Sequence, residues 1–386
     1  MNRGWSVGLA AGILAAASAL AEKQAPSPFQ FRAEESLKRL RHFVETRMTG
    51  PMDAIRVNAV TNRVEKSGEA RNTECLSETV GQRMELALLE NDRQTFDQQL
   101  DLAMKKFAGP SGLLAWKISG DLATKAESSA TIDDWRVALA CRMAFDRWQR
   151  QAAFDYGLKV STVLANTIQE TGLMPVALDI EKGRGERERL PLCYLHLPAM
   201  KSWEPFLTTL SDARKRATAV LINGRRRPGL LAEAWHPTHG GYSEGKADEV
   251  LTLIALLYLQ EMDPQSALVK EAIAKRVALL KLSTPLPQAF DTVSGNGEQE
   301  PAGAAVYALL SRLLTRANDM KHAEAALKRM LEFQNPPDDR FDGAIGKEPV
   351  FSFDQIEAML ALREYLNMEK GAAGGEPSAK PSMQEK

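Results

Sequence analysis

Three cysteines in 386 residues are too few for a disulfide framework, and the odd count leaves at least one thiol unpaired within the chain. Cys75, Cys141 and Cys193 match no zinc spacing. A Cys75–Cys193 bridge is one pairing an exported chain would allow, whereas Cys141 falls on an apolar helical face and reads as a small core side chain. Charge of one sign is also missing: 49 basic side chains stand against 50 acidic ones, so no global field draws in nucleic acid or an anionic membrane. The run Arg225-Arg226-Arg227 is short and reads as a solvated face. Beyond the N-terminus no stretch holds ~18 uninterrupted apolar residues, so a soluble body with no stable membrane insertion is expected. His236 and His239 are separated by Pro237, which marks a loop, and no third ligand is nearby, so no metal is expected. Gly183-Arg184-Gly185 opens no helix and is a turn, not a phosphate cradle.

What is present begins with an export signal. Arg3 precedes an apolar, alanine-rich stretch from Gly4 to Leu20, and Ala19-Leu20-Ala21 predicts cleavage before Glu22. No cysteine sits there, so a lipid anchor is not implied. Residues 1–21 are then a signal peptide and 22–27 a linker. Residues 28–368 form one domain, and 369–386 a disordered tail of Gly, Ala, Pro, Ser and charge. The destination is the periplasm or the exterior, as a monomer.

The domain reads as helix after helix. The spacing predicts helices over 28–48, 78–89, 93–107, 131–145, 148–167, 198–210, 211–221, 247–262, 265–282, 302–317, 321–333 and 352–366. Few segments look like strands. Ile55 to Thr61 is one, and Met174–Ile180 with Leu190–Leu197 would flank a Glu181–Arg189 turn as a hairpin. Helical pairs without alternating strands argue for an all-α class, and no fixed-period repeat supports a solenoid. Six pairs would close into a double ring, an (α/α)6 barrel, with loops and inner-helix N-termini lining a cleft.

Two segments carry chemistry. Ser77-Glu78 opens one helix, and Thr131-Ile132-Asp133-Asp134-Trp135-Arg136 opens another. A carboxylate in a first turn is already favoured by the helix dipole, so Glu78 needs no function to be there. To act as a general acid it must hold its proton, which requires burial or a second carboxylate strong enough to outweigh the dipole. Thr131 and Asp134 have the spacing of a capping box, which would leave Asp133 free to face a cleft. Glu78 facing an aspartate across a groove would suit cleavage of a glycosidic bond. Trp116, Trp135, Tyr194 and Tyr242 are candidate platforms for sugar rings.

These blocks resemble glycoside hydrolase family 8. Ser77 to Met84, then Leu86-Ala87, then Asn91-Asp92-Arg93-Gln94-Thr95-Phe96-Asp97, is similar to the region around that family's proton donor. Leu113 to Trp116 matches its Leu-Leu-Ala-Trp segment, Ala130 to Ala138 its Ala-Thr-Asp-Gly-Asp stretch in length, and Leu192 to Ala199 its Ser-Tyr-x-x-Pro stretch. Phe351 to Ile356 with Leu360 to Arg363 resembles the last inner helix of a divergent branch, which holds glycoside hydrolase family 126 and exopolysaccharide-operon hydrolases. The resemblance covers roughly residues 28–368. It implies an (α/α)6 barrel that hydrolyses a polysaccharide with inversion, with Glu78 as general acid and Tyr194 near the sugar at the cleaved bond.

The chain departs from that pattern. Ile132 stands where family 8 has its first aspartate, Asp134 where it has the second, and Gln82 where a tyrosine is usual. The base is open among Asp133, Asp134 and Asp354, with Asp133 and Asp134 ahead and Asp354 otherwise a substrate contact. The expectation is a polysaccharide hydrolase that needs no cofactor. The rival from another class is a barrel that binds or organises carbohydrate without cutting it, which the missing aspartate favours. A polysaccharide lyase is the third reading.

Overall fold

The computed structural model describes residues 26–59, 73–172, 174–183, 189–282 and 284–374. Residues 1–25, on which the expected signal peptide falls, residues 60–72 and residues 375–386 lie outside them. The described residues hold twelve α-helices: α1 (Pro28–Phe43), α2 (Ser77–Glu90), α3 (Arg93–Leu102), α4 (Thr131–Trp148), α5 (Gln151–Thr171), α6 (Leu197–Trp203), α7 (Thr209–Asn223), α8 (Glu249–Met262), α9 (Ala267–Lys281), α10 (Ala304–Arg316), α11 (Met320–Leu331) and α12 (Ser352–Gly374).

Two sequence signatures alternate along this series, and the alternation produces the architecture. α8 and α10 are buried over nearly their whole length, as helices surrounded by protein must be. α11 hides one stripe only, Ala323, Ala326, Leu327, Met330 and Leu331, and turns Lys328 outward. The even-numbered helices close a ring, each touching the next and α12 touching α2. The odd-numbered helices pack around that ring. This is an (α/α)6 barrel, as six helical pairs predict. Since each outer helix carries the chain back, all the inner helices start at the same end.

Short antiparallel ladders set those starts. Cys75–Leu76 pairs with Lys117–Ile118 and runs into α2. Ser128–Ala130 pairs with Ala177–Asp179 and runs into α4. Lys246–Asp248 pairs with Ala289–Asp291 before α8, and Val350–Phe351 pairs with Asn58–Ala59 before α12. A strand held on its neighbour fixes the direction in which the following helix leaves.

Several local expectations are revised. The arms Met174–Ile180 and Leu190–Leu197 do not pair with each other: the first joins Ser128–Ala130 and the second joins Ala234–Trp235. Each finds a better-placed partner at the rim of an inner helix. Trp148 ends α4 rather than opening α5, because Gln149 turns left-handed at φ 55° and caps the helix. The helices foreseen over 28–48 and 93–107 finish in single π-turns, Val44–Met48 and Ala103–Phe107. α12 continues to Gly374, past Lys370. Cys75, Cys141 and Cys193 are all buried free thiols, so the Cys75–Cys193 bridge is not formed.

One buried ion pair locks the α8 start. Arg276 of α9 donates to both oxygens of Glu249, at 2.7 and 2.6 Å, and to the Gly229 carbonyl at 3.1 Å. Neither side chain is more than 1% exposed. Burial pushes the Glu249 carboxyl upward, and Arg276 opposes that. Removing one partner would strand the other in an apolar setting. Arg276→Met should therefore cost about 3–5 kcal/mol in urea unfolding, and adding Glu249→Met should recover most of that loss.

Candidate active site

Glu78 lies in the first turn of α2, whose start is pinned to the Trp116 segment: the Ser77 N–H donates to the Trp116 carbonyl at 3.1 Å. α4 begins differently from the capping box predicted for it. Its N-cap is Ala130, with no capping side chain, and the Thr131 hydroxyl donates to the Pro175 carbonyl at 2.7 Å. Asp134 does not reach back to cap. It turns into the protein and accepts the Leu114 N–H at 2.8 Å, holding the Leu113-to-Trp116 segment onto α4. Asp134 is wholly buried, and burial pushes its carboxyl to about 8, against the pull of Leu114 and Ser129. Asp134 is thus a structural acid, removed from the list of candidate bases.

Asp133 is the residue that joins the two helix starts. The Ser77 hydroxyl donates to its Oδ2 at 2.7 Å. Arg136, one turn further along α4, brings Nη1 to 3.5 Å from its Oδ1. Asp133 and Arg136 are both buried. Burial raises the Asp133 carboxyl, while Arg136 and Ser77 hold it down.

Glu78 is half-buried beside this pair. Burial, then the Asp133 charge, push its carboxyl to about 8; Arg136 opposes them, and Glu357 and Asp354 push further. The dipole of α2 is outweighed, and the acid keeps its proton near neutral pH. Asp354, in the first turn of α12, is also half-buried, and burial and Glu357 raise it to about 6. Tyr194 faces the same centre: its phenol is raised by burial, then by Asp133, Cys193 and Glu78. Asp133 and Asp354 thus lie within electrostatic reach of Glu78, and Asp133 and Glu78 within reach of Tyr194. Trp116 is half-buried next to them through its backbone, with the Lys117 ammonium 4.9 Å from its ring centre.

Two aromatic candidates fall away. Trp135 is fully buried in the core and has no face for a sugar. Tyr242 lies over the outer ring, where its hydroxyl donates to the Val220 carbonyl of α7 at 2.7 Å and Arg226 covers its ring at 4.7 Å.

Sequence reasoning missed the groups beneath the carboxylates. Gln82, noted only as a departure, donates to Glu357 Oε1 at 2.8 Å. Arg312 of α10 donates to Glu357 at 2.7 Å and to Glu364 at 3.0 Å, and also to Glu85. His196 caps α6 through Nδ1 and stacks on Tyr258 with ring centres 4.1 Å apart. Burial and Arg136 lower its imidazole to about 3, so it is neutral. The one available signal was the i, i+3 spacing of Asp133 and Arg136. Deeper along the barrel axis lies a cavity of about 150 Å³, in which Arg136, His196, Tyr258 and Glu357 meet the leucines of α2, α8 and α10.

Comparison with known proteins adds a family profile and similar folds. The profile described as Glycosyl hydrolases family 8 matches residues 53–230, which include Glu78, Trp116, Asp133, Asp134 and Tyr194 but not Asp354. "Putative lipoprotein YdaJ" of Bacillus subtilis (strain 168) is 23% identical over 300 residues, covering 76% of this chain and 80% of that protein. A structure named as a novel alpha-amylase from Clostridium perfringens superposes with a TM-score of 0.78 at 22% identity, covering 86% of this chain and 97% of the other. The beta-1,3-1,4-glucanase from Paenibacillus sp. X4 superposes with a TM-score of 0.65 at 13% identity, covering 88% and 93%. At such identities the superpositions establish the fold alone.

The structural role of Asp134 can be tested by linkage. Its folded value near 8 lies above that of an unfolded aspartate. The stabilisation it contributes is complete below the unfolded value and is lost as pH rises through the folded one. Asp134→Asn cannot lose it. The stability of Asp134→Asn relative to wild type should grow from about pH 4 to pH 8, by up to ~1.4 kcal/mol per unit, and then level off. Urea unfolding across pH measures this; a pH-independent difference would refute it.

Proposed function

Because the chain is glycoside hydrolase family 8-like, we propose that it is an exported enzyme that hydrolyses a glucan or exopolysaccharide with inversion at the cleaved carbon. One observation carries the reading: Glu78, at an inner-helix start, is pushed to hold its proton by burial first and then by the charge of Asp133, with Glu357 and Asp354 adding to it. Glu78 donates that proton to the leaving glycosidic oxygen as the C1–O bond breaks. Asp354, ionised above about 6, removes a proton from the water that attacks C1 from the opposite face. Asp133, bound by Ser77, stays ionised and steadies the positive charge that develops on the sugar. Trp116 and Tyr194 support the ring. After release Glu78 is left ionised and Asp354 protonated, and exchange with solvent resets them.

Asp354 suits the base better than Asp133. Both Asp133 oxygens face protein groups, Ser77 and Arg136, whereas Asp354 is partly open. The matched neighbours are named for both α- and β-glucan hydrolysis, so the fold does not select the anomer. Export rests on the sequence of residues 1–21 and accords with the name of the Bacillus subtilis relative. No helix of the described residues is long and apolar enough to cross a membrane.

A binding barrel without turnover is the second reading, and Ile132 in place of an aspartate favours it. Reducing-end release separates the two over a panel of starch, mixed-linkage β-glucan, carboxymethyl cellulose, chitosan and bacterial exopolysaccharide. The enzyme should release reducing ends. Glu78→Gln should lower kcat about 10³-fold or more while remaining folded, and full turnover by that variant would end the proposal.

The pH profile follows from the same groups. Asp354 must lose its proton and Glu78 must keep its own, so kcat/KM should rise through about pH 6 and fall through about pH 8. Asp354→Asn should remove the acidic limb together with most of the rate.

A further inference from the structure

Arg136 is a cation with few apparent reasons to be buried. It is only 7% exposed, and its guanidinium meets Asp133 at 3.5 Å, a distance that leaves Asp133 Oδ1 and Arg136 Nη1 each without a hydrogen bond. The pair is therefore held by charge alone on that side. Room for it is made by a glycine. A Cβ on Gly81 would stand 2.9 Å from Arg136 Cδ and 3.0 Å from Cγ, so any other residue there would displace the arginine stem. Glycine inside a helix costs about 1 kcal/mol relative to alanine. At Gly81 that cost brings α2 against the stem of a residue on α4, three residues past Glu78 and three residues past Asp133.

Every element around Arg136 contributes a group that bears on it. α2 brings Glu78, α4 Asp133 and Asp134, and the 3-10 turn Leu192–Tyr194 brings Cys193 and Tyr194. α6 is capped by the neutral His196, α8 carries Tyr258, α10 carries Arg312, and α12 carries Asp354 and Glu357. Arg312 is already bound by Glu357, Glu364 and Glu85. Arg136 makes no such set of bonds. Burial works against its charge, but Tyr258, Asp133, Glu78 and Glu357 more than offset that.

We propose that Arg136 is a positioning residue for the reaction: seated under the cleft by Gly81, its guanidinium keeps Asp133 negative and so leaves Glu78 as the carboxyl that carries the proton. This rests on the catalytic reading of Glu78. It assigns Arg136 no contact with substrate. The role is electrostatic, dividing one proton between two carboxyls that would otherwise compete for it.

The test reads charge directly. Carboxyl carbons of the full chain, labelled with ¹³C at aspartate and glutamate side chains, are titrated by NMR, with Asp133→Asn and Glu78→Gln assigning the two signals. In Arg136→Met the Asp133 midpoint should rise by about one pH unit or more, with Arg136→Lys returning part of the shift. Gly81→Ala, which leaves the arginine in the chain but pushes its stem aside, should move Asp133 in the same direction. An unchanged Asp133 midpoint in a folded Arg136→Met variant overturns the proposal. If Arg136→Met fails to fold, an unchanged midpoint in Gly81→Ala overturns it equally. Should the wild-type chain cut no glycan at all, the catalytic reading fails, while the titration still decides whether Arg136 governs Asp133.

Discussion

Inner helices that start at one end of a ring must bring their first turns together, and acidic side chains in those turns then share a space with little water. The cleft end of this barrel depends on that constraint. Glu78 at the start of α2, Asp133 at the start of α4 and Asp354 at the start of α12 would each be unremarkable on an isolated helix, stabilised by the dipole and ionised. Brought together and partly dehydrated they cannot all ionise at neutral pH. Burial raises all three, the charges of Asp133, Glu357 and Asp354 raise Glu78 further, and Glu357 adds to the rise of Asp354. Asp133 has a hydroxyl donor and an arginine beside it, whereas Glu78 has the charge of Asp133 beside it and Asp354 that of Glu357. Different surroundings acting on similar groups is the physical origin of acid and base roles in one site.

The half of the barrel beyond that end uses charge for another purpose. Arg312 and Arg316 of α10 are bound by Glu85 of α2, Glu261 of α8, and Glu357 and Glu364 of α12. The two arginines hold Glu364 down to about 2, although burial alone would raise it. Buried networks of this kind add less to stability than their Coulomb terms suggest, because desolvation takes most of the gain. Their effect is to specify which helices meet and at what height. Glu357 connects the two halves: Gln82 and Arg312 bind it, and its charge acts upward on Glu78 and Asp354. The framework that sets helix register thereby also biases the protons of the cleft.

Much of the fold was legible in the chain, for identifiable reasons. A helix enclosed by others is buried on nearly every side, as α8 and α10 are, and a helix on the outside needs only a stripe, as α11 does. Periodicity therefore revealed twelve helices and their pairing. Glu78 stood out in the sequence by its position at a helix start and by its neighbours, and the structure sets it half-buried beside Asp133. Other features were out of reach because they depend on what lies across a contact. Trp135 read as a sugar platform and Asp134 as a cap, yet α4 turns one into the core and the other onto the Leu114 backbone. The segment before Leu197 read as half a hairpin, yet its partner strand comes from 234–236. Arg136 was given no role in the sequence, and only the fold shows its stem packed against Gly81.

Sequence alone determined the all-α class, the count and order of the helices and the residue types at their starts. These follow from local spacing, which each segment carries with it. Only the tertiary structure decided which starts face each other, which carboxyl is buried with an arginine and which is left open. A proton is assigned by the total field at a site, and that field is the sum of groups from α2, α4, α8, α10 and α12 that no stretch of neighbouring residues contains.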